Sequence, residues 1–148
     1  MKSVLLSAVA IAAALLVAAC GGRAESAGPA PDKVVVQHLL VSFAGRLPGR
    51  TIARSQAEAS KLAASLFERA RSGEDFDALV KEFTDDRHPG FYTMVGIGQV
   101  PASGEYGRDQ MVPGFGDVAF TLAVGEIGLC PFDGVRSPFG WHLIKRLQ

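Results

Sequence analysis

The hydrophobic pattern of the chain changes period from segment to segment, and each change marks an element. Ser3 to Ala19 is a continuous uncharged apolar run. From Gly21 to Lys33 the periodicity dissolves into Gly21, Gly22, Ser26, Gly28, Pro29 and Pro31, the composition of a flexible tether. Val34 to Ser42 is dense in β-branched residues and predicts a strand covered on both faces, with Val34, Val36, His38 and Leu40 on one of them. Ser55 and Glu58 then form a capping box, after which Ala59, Leu62, Ala63, Leu66, Phe67 and Ala70 follow at helical spacing until Gly73. Phe76, Leu79, Val80 and Phe83 predict a second helix, with Glu74 and Asp75 at its positive end and Thr84-Asp85-Asp86 as its stop. Arg87 to Arg108 is glycine-rich and irregular, with a short strand at Phe91 to Ile97. Pro113 suits the first turn of a third helix that buries Phe115, Val118, Ala119 and Leu122 and closes at Gly125. Two more strands, Glu126 to Phe132 and Trp141 to Leu147, are joined by Asp133 to Gly140. This order has no βαβ alternation, so it predicts an α+β domain with helices packed on a mostly antiparallel sheet.

Composition narrows the classes. With 148 residues, 48% of them hydrophobic, and no net charge, the chain has room for one globular domain and lacks the basic excess of a nucleic-acid binder, so no nucleic-acid partner is expected. Residues 1–19 read as a targeting segment that begins with the positive Lys2. Val17-Ala18-Ala19-Cys20 resembles the bacterial lipobox, which implies cleavage before Cys20 and lipid on its thiol; an uncleaved anchor of roughly 17 to 25 apolar residues is the other reading. Both put the remaining domain outside the cytoplasm, because Lys2 stays inside. The division is then a signal at 1–19, a tether at 20–33 and a domain at 34–148, the part after the signal carrying 14 basic and 15 acidic residues. With Cys20 acylated, Cys130 has no disulfide partner, and it reads as a small buried hydrophobe.

Few residues are left to carry chemistry. His38 and His142 fall in the first and last strands, which often pair in small α+β sheets, so their imidazoles are placed to meet. His88 reads as solvated surface beside Pro89. Met111 and Phe115 stand four apart, which on a helix sets a thioether beside a ring as an apolar wall for a flat ring such as proline. Asp85 and Asp86 point different ways in extended chain. The cysteines and histidines are too scattered for a zinc site, and there is neither a phosphate-cradling glycine loop nor a Gly-x-Ser-x-Gly elbow. No metal and no cofactor is expected.

Five ordered motifs between Val35 and Arg146 resemble the parvulin family of peptidyl-prolyl isomerases. They are His38-Leu39-Leu40-Val41, Glu82-Phe83-Thr84-Asp85-Asp86, Gln110-Met111-Val112-Pro113-Gly114-Phe115, Val124-Gly125-Glu126-Ile127-Gly128 and Ser137-Pro138-Phe139-Gly140-Trp141-His142-Leu143-Ile144. The resemblance implies a parvulin (FKBP-like) fold, with a four-stranded antiparallel sheet and surrounding helices, acting without a cofactor on Xaa-Pro bonds. It implies His38 and His142 as a catalytic pair with Ser137 hydrogen-bonding beside them, and Asp86 facing the reacting peptide. Met111, Phe115 and Phe139 would wall the proline ring, and Gln110 would meet the substrate backbone. Together with the lipobox it implies a folding assistant for proline-containing unfolded or exported polypeptides, lipid-anchored at the bacterial cell envelope. A non-catalytic, chaperone-like binding module is the alternative. Two departures stand out. Gly90-Phe91-Tyr92-Thr93-Met94-Val95-Gly96 replaces the family's Gly-Gly-Asp-Leu-Gly run, leaving Met94 or Tyr92 to complete the pocket. Phosphate-directed members carry a basic cluster after the first strand, whereas Arg46 and Arg50 here read as part of a solvated loop.

Overall fold

In the computed structural model, which describes residues 30–148, β1 (Lys33–Val41) forms the middle of the sheet. On one side it pairs with β2 (Phe91–Val95) and on the other with β5 (Trp141–Arg146), which in turn pairs with β4 (Ile127–Cys130), all antiparallel. This is the four-stranded antiparallel arrangement expected, extended by a two-residue parallel strand, β3 (Tyr106–Gly107), at the outer edge of β2. The sequence around β3 has no alternation long enough to announce it.

Period two separates the faces of β1. Leu39 and Val41, with Leu143 of β5, pack against α1 (Gln56–Arg71) and α2 (Phe76–Phe83) through Ala59, Ala63, Leu66, Leu79 and Val80. Val34 and Val36, with Met94 and Ile144, pack against α3 (Pro113–Thr121) through Phe115, Ala119 and Phe120. Each such Val, Leu, Ile, Met or Phe side chain taken from water contributes about 1.5–3 kcal/mol before chain entropy is counted. A strand covered on both faces therefore holds the domain together.

Helix ends follow the sequence closely. Ser55 accepts from the Glu58 amide and Glu58 returns the bond to the Ser55 amide, while Asp75 Oδ1 accepts from the Ala78 amide. Pro113 opens α3, but the helix stops at Thr121, with Leu122 already extended, and Gly125 belongs to the following turn. The strands are shorter than their apolar runs: β2 ends at Val95 rather than Ile97, and β4 is confined to Ile127–Cys130. Lys33, placed in the tether by its composition, pairs with Val95, and the Asp32 carbonyl accepts from the Gly96 amide.

Residues 1–29 lie outside the described part, and with them the signal segment, most of the tether and Cys20. Among the described residues no helix is long and apolar enough to cross a membrane.

Candidate active site

The site forms where β1, β5, the segment after α2 and the start of α3 converge. His38 pairs in register with Ile144 and Leu40 with His142, so the two histidines are diagonal neighbours on the face that α3 covers. Gly140 helps to bring them there: its φ is +145°, and a Cβ at that position would lie 2.2 Å from the Val41 carbonyl oxygen. The start of β5 thus closes tightly on the end of β1.

The imidazoles stack with centroids 4.9 Å apart, and His142 Nδ1 lies 2.9 Å from His38 Nε2. Both are buried, and loss of water pushes each pKa down to about 3, His38 further opposing protonation of His142. At neutral pH the pair is therefore uncharged, with one ring donating to the other. His38 Nδ1 and His142 Nε2 have no hydrogen-bond partner.

Asp86 is delivered by a short extended segment that takes over the edge of β1 beyond the reach of β2. Thr84 Oγ1 accepts from the Leu40 amide, the Asp85 amide donates to the Leu40 carbonyl, and Asp85 Oδ2 accepts from the Ser42 amide and from Arg54. Asp85 is thus committed to holding the chain, and Asp86 turns the other way. Its Oδ2 comes within 4.0 Å of His38 Nδ1 and accepts a 3.1 Å hydrogen bond from the Tyr92 hydroxyl.

Beside these groups opens a cleft of about 350 Å³, lined by His38, His142 and Asp86 with Met111, Phe115 and Phe139. Tyr92, Val112, Leu40, Leu47, Pro48 and Gln110 complete its wall. Its size falls within the roughly 300–1,000 Å³ common for ligand sites, and its lining is mostly apolar with a few polar groups. Phe115 is almost fully buried and meets both imidazoles edge-on, at centroid distances of 5.1 and 5.6 Å. A larger hollow of about 790 Å³ lies elsewhere, between the end of α1, the start of α2 and Lys145. It is open and charged, and its acids are engaged: Asp75 caps α2, Glu74 pairs with Arg69, and Glu126 accepts from the Ala123 amide.

Several expectations change at this level. Met111 and Phe115 do share the cleft, but not through helical spacing: Met111 is extended, between a 3₁₀ turn at Arg108–Gln110 and the first residue of α3. Ser137 makes no hydrogen bond to either imidazole. It is fully buried, and its hydroxyl donates to the Gly140 carbonyl at 2.9 Å, because the β4–β5 connection folds back through an Asp133–Ser137 bridge. Gln110 lines the cleft while its side-chain oxygen accepts from the Gly107 amide, closing the 3₁₀ turn. Met94 is wholly in the core, which leaves Tyr92 as the wall residue of β2. His88 is not simply solvated: Nε2 lies 2.9 Å from Asp77 Oδ1, an oxygen that also accepts from Gln37.

The loop after β1 is also more than a solvated stretch. The Arg46 guanidinium lies over the rings of Phe43 and Phe132, and Arg50 donates to the Asp86 carbonyl. Leu47 and Pro48, which that loop turns into the cleft, carry no local pattern that would have revealed them. Cys130 is buried next to α3, and burial pushes its thiol up. Among the described residues no group of three or more His, Cys, Asp or Glu side chains is arranged to hold a metal ion.

Comparison with known proteins bears on the family and the fold. The family model described as the PPIC-type PPIASE domain matches residues 23–148. The chain is 36% identical over 123 residues to Chaperone SurA of Pseudomonas aeruginosa, an alignment covering 78% of this chain and 24% of that protein. It is 38% identical over 85 residues to Foldase protein PrsA 4 of Bacillus cereus, covering 57% and 26% respectively. It thus spans about a quarter of the length of these relatives. The solution structure of TbPIN1 superposes with a TM-score of 0.56 at 23% identity, over 79% of this chain and 98% of the other, a likeness of fold. The chain belongs to the family of PPIC-type peptidyl-prolyl isomerase domains.

Proposed function

We propose that this domain catalyses cis/trans interconversion of Xaa-Pro bonds in unfolded exported polypeptides, at the bacterial cell envelope and tethered to a membrane by lipid on Cys20. The observation behind this reading is the apolar cleft of Met111, Phe115 and Phe139, which borders a buried neutral imidazole pair and one carboxylate. Family membership and relatives named as a chaperone and a foldase support it.

The chemistry asks little of the protein. Rotation about a peptide bond faces a barrier of roughly 18–20 kcal/mol, and Xaa-Pro exchange takes tens to hundreds of seconds unaided. Each ~1.4 kcal/mol removed is a tenfold gain in rate. A proline ring gripped by Met111, Phe115 and Phe139 is held still while the preceding carbonyl turns. In the twisted amide the C–N bond loses resonance and the amide loses much of its charge separation, so an apolar, preorganised cleft favours it over the planar ground state. Asp86 sets the field around the turning carbonyl, and the neutral His38–His142 pair keeps that field free of a competing positive charge. No nucleophile and no covalent intermediate are required.

A proline-peptide exchange assay on the full chain tests the proposal, with acceleration over the uncatalysed exchange as the expected result. The relatives' names make a binding module the second reading. Under that reading the exchange rate stays at its uncatalysed value, while the chain still suppresses aggregation of an unfolded client.

A further inference from the structure

Tyr92 does more than a wall residue needs to do. As a wall it needs only its ring, which packs edge-on against His38 and Phe115 with centroids 5.7 Å from each. A leucine, the residue in the Gly-Gly-Asp-Leu-Gly run that this segment replaces, could fill such a place. The hydroxyl adds a 3.1 Å hydrogen bond to Asp86 Oδ2, the carboxylate oxygen that faces His38 Nδ1. Among the described residues no other side chain hydrogen-bonds that carboxylate, although the charge of Arg87 also bears on it.

The imidazole pair makes this contact consequential. The 2.9 Å link between His142 Nδ1 and His38 Nε2 carries one proton, and it can be arranged in two ways. If His38 donates, its Nδ1 keeps a bare lone pair turned toward an anion, and the His142 Nε2 hydrogen is buried without an acceptor. If His142 donates, His38 carries its proton on Nδ1, directed at the carboxylate 4.0 Å away. That separation is too long for a hydrogen bond, but the charge of the partly exposed carboxylate still favours a proton on the facing nitrogen of the buried ring.

We propose that Tyr92 is a positioning residue: its hydroxyl holds the Asp86 carboxylate toward His38 and thereby selects the tautomer in which both rings carry their proton on Nδ1. The effect on rate rests on the isomerase reading given above, whereas the tautomer does not.

Tyr92→Phe keeps the ring and removes the hydroxyl, and the full chain serves for every measurement. Nitrogen-15 imidazole spectra of the wild type should show protonated Nδ1 on both His38 and His142. In Tyr92→Phe the same signals should move toward a mixture of tautomers. A wild-type spectrum of the opposite tautomer, or spectra identical in the two proteins, overturns the proposal.

In the exchange assay Tyr92→Phe should lower kcat about ten- to a hundredfold with KM within twofold, the loss expected for one hydrogen bond to a charged group. A raised KM at unchanged kcat would make Tyr92 a wall only. In an Asp86→Asn background the same substitution should change kcat less than twofold, because the group it positions is already altered; a full multiplicative loss counts against the proposal.

The contact also reports from the other side. Burial, then the charge of Asp86, pushes the Tyr92 phenol above its usual range, while the nearby Arg87 guanidinium opposes the shift. Asp86→Asn should bring that titration down, and an unmoved phenol would mean that no carboxylate bears on it. Should the wild type accelerate no proline exchange, the isomerase reading falls, and the spectra and the phenol titration still decide the role of Tyr92.

Discussion

At the scale of single residues, the site combines groups whose burial makes them part of the core with groups that stand in the cleft alone. Phe115 belongs to both: it projects from α3 into the core, almost fully buried, and its ring also lines the cleft. Phe115→Ala should therefore cost about 3–5 kcal/mol of stability as well as activity. Met111 is only partly buried, so Met111→Ala should lower kcat/KM about tenfold while the urea midpoint stays near that of the wild type. Equal damage to folding and activity in both variants would place the wall wrongly. The histidines make a separate prediction about pH. Their folded pKa values, near 3, lie below the ordinary 6.5, so between these limits the unfolded chain binds more protons than the folded one. Stability is then complete above about pH 6.5 and falls as the pH drops toward 3. Urea midpoints at pH 7 and pH 4.5 test this, and His38→Phe should flatten part of the slope. Activity, by contrast, should show no imidazole titration between pH 6 and 8, since both rings stay neutral there.

At the scale of elements, the important contacts are those that bring one segment against another. Gly140 lets β5 close on β1, so Gly140→Ala should destabilise by at least about 2–3 kcal/mol and separate the imidazoles. Gly134, in the same connection but with open space around it, should accept alanine nearly without cost. Denaturant curves for the two variants decide, and similar midpoints would remove Gly140 from the account. Asp85 plays the corresponding part on the other edge of β1. Its neighbour Asp86 is in the cleft only because Asp85, Thr84 and Arg54 stitch the segment after α2 to Leu40 and Ser42. The helices and the four main strands were readable because their signals are local: a capping box, a proline at a first turn, runs of β-branched residues. The ends of α3 and β2, the two-residue β3 and the extended Met111 were not, since each ends or bends where a tertiary partner requires it.

At the scale of the whole molecule, the proposed function joins a cleft to an address. Cys20→Ala in the full chain should shift the protein from the membrane fraction to the soluble fraction without changing its exchange rate, which fractionation and the assay measure together; a variant still held by the membrane would favour an uncleaved anchor. Chelator treatment should leave the exchange rate unchanged. Composition and pattern alone determined the fold class, the succession of elements, the face of β1 that carries His38, and, through motif resemblance, His38, Asp86, Gln110, Met111, Phe115, Phe139 and His142 as candidates for the cleft that they line. All of these follow from local propensity, the period of apolar residues, or short contiguous runs, and such information survives in one dimension. Only the tertiary structure decided that the imidazoles meet diagonally and uncharged, that Ser137 bonds to the Gly140 carbonyl rather than to either imidazole, that Leu47 and Pro48 reach the cleft, and that Tyr92 rather than Met94 lines it. Those outcomes depend on pairings between residues tens of positions apart and on which groups lose their water, and neither quantity is written in any single stretch of the chain.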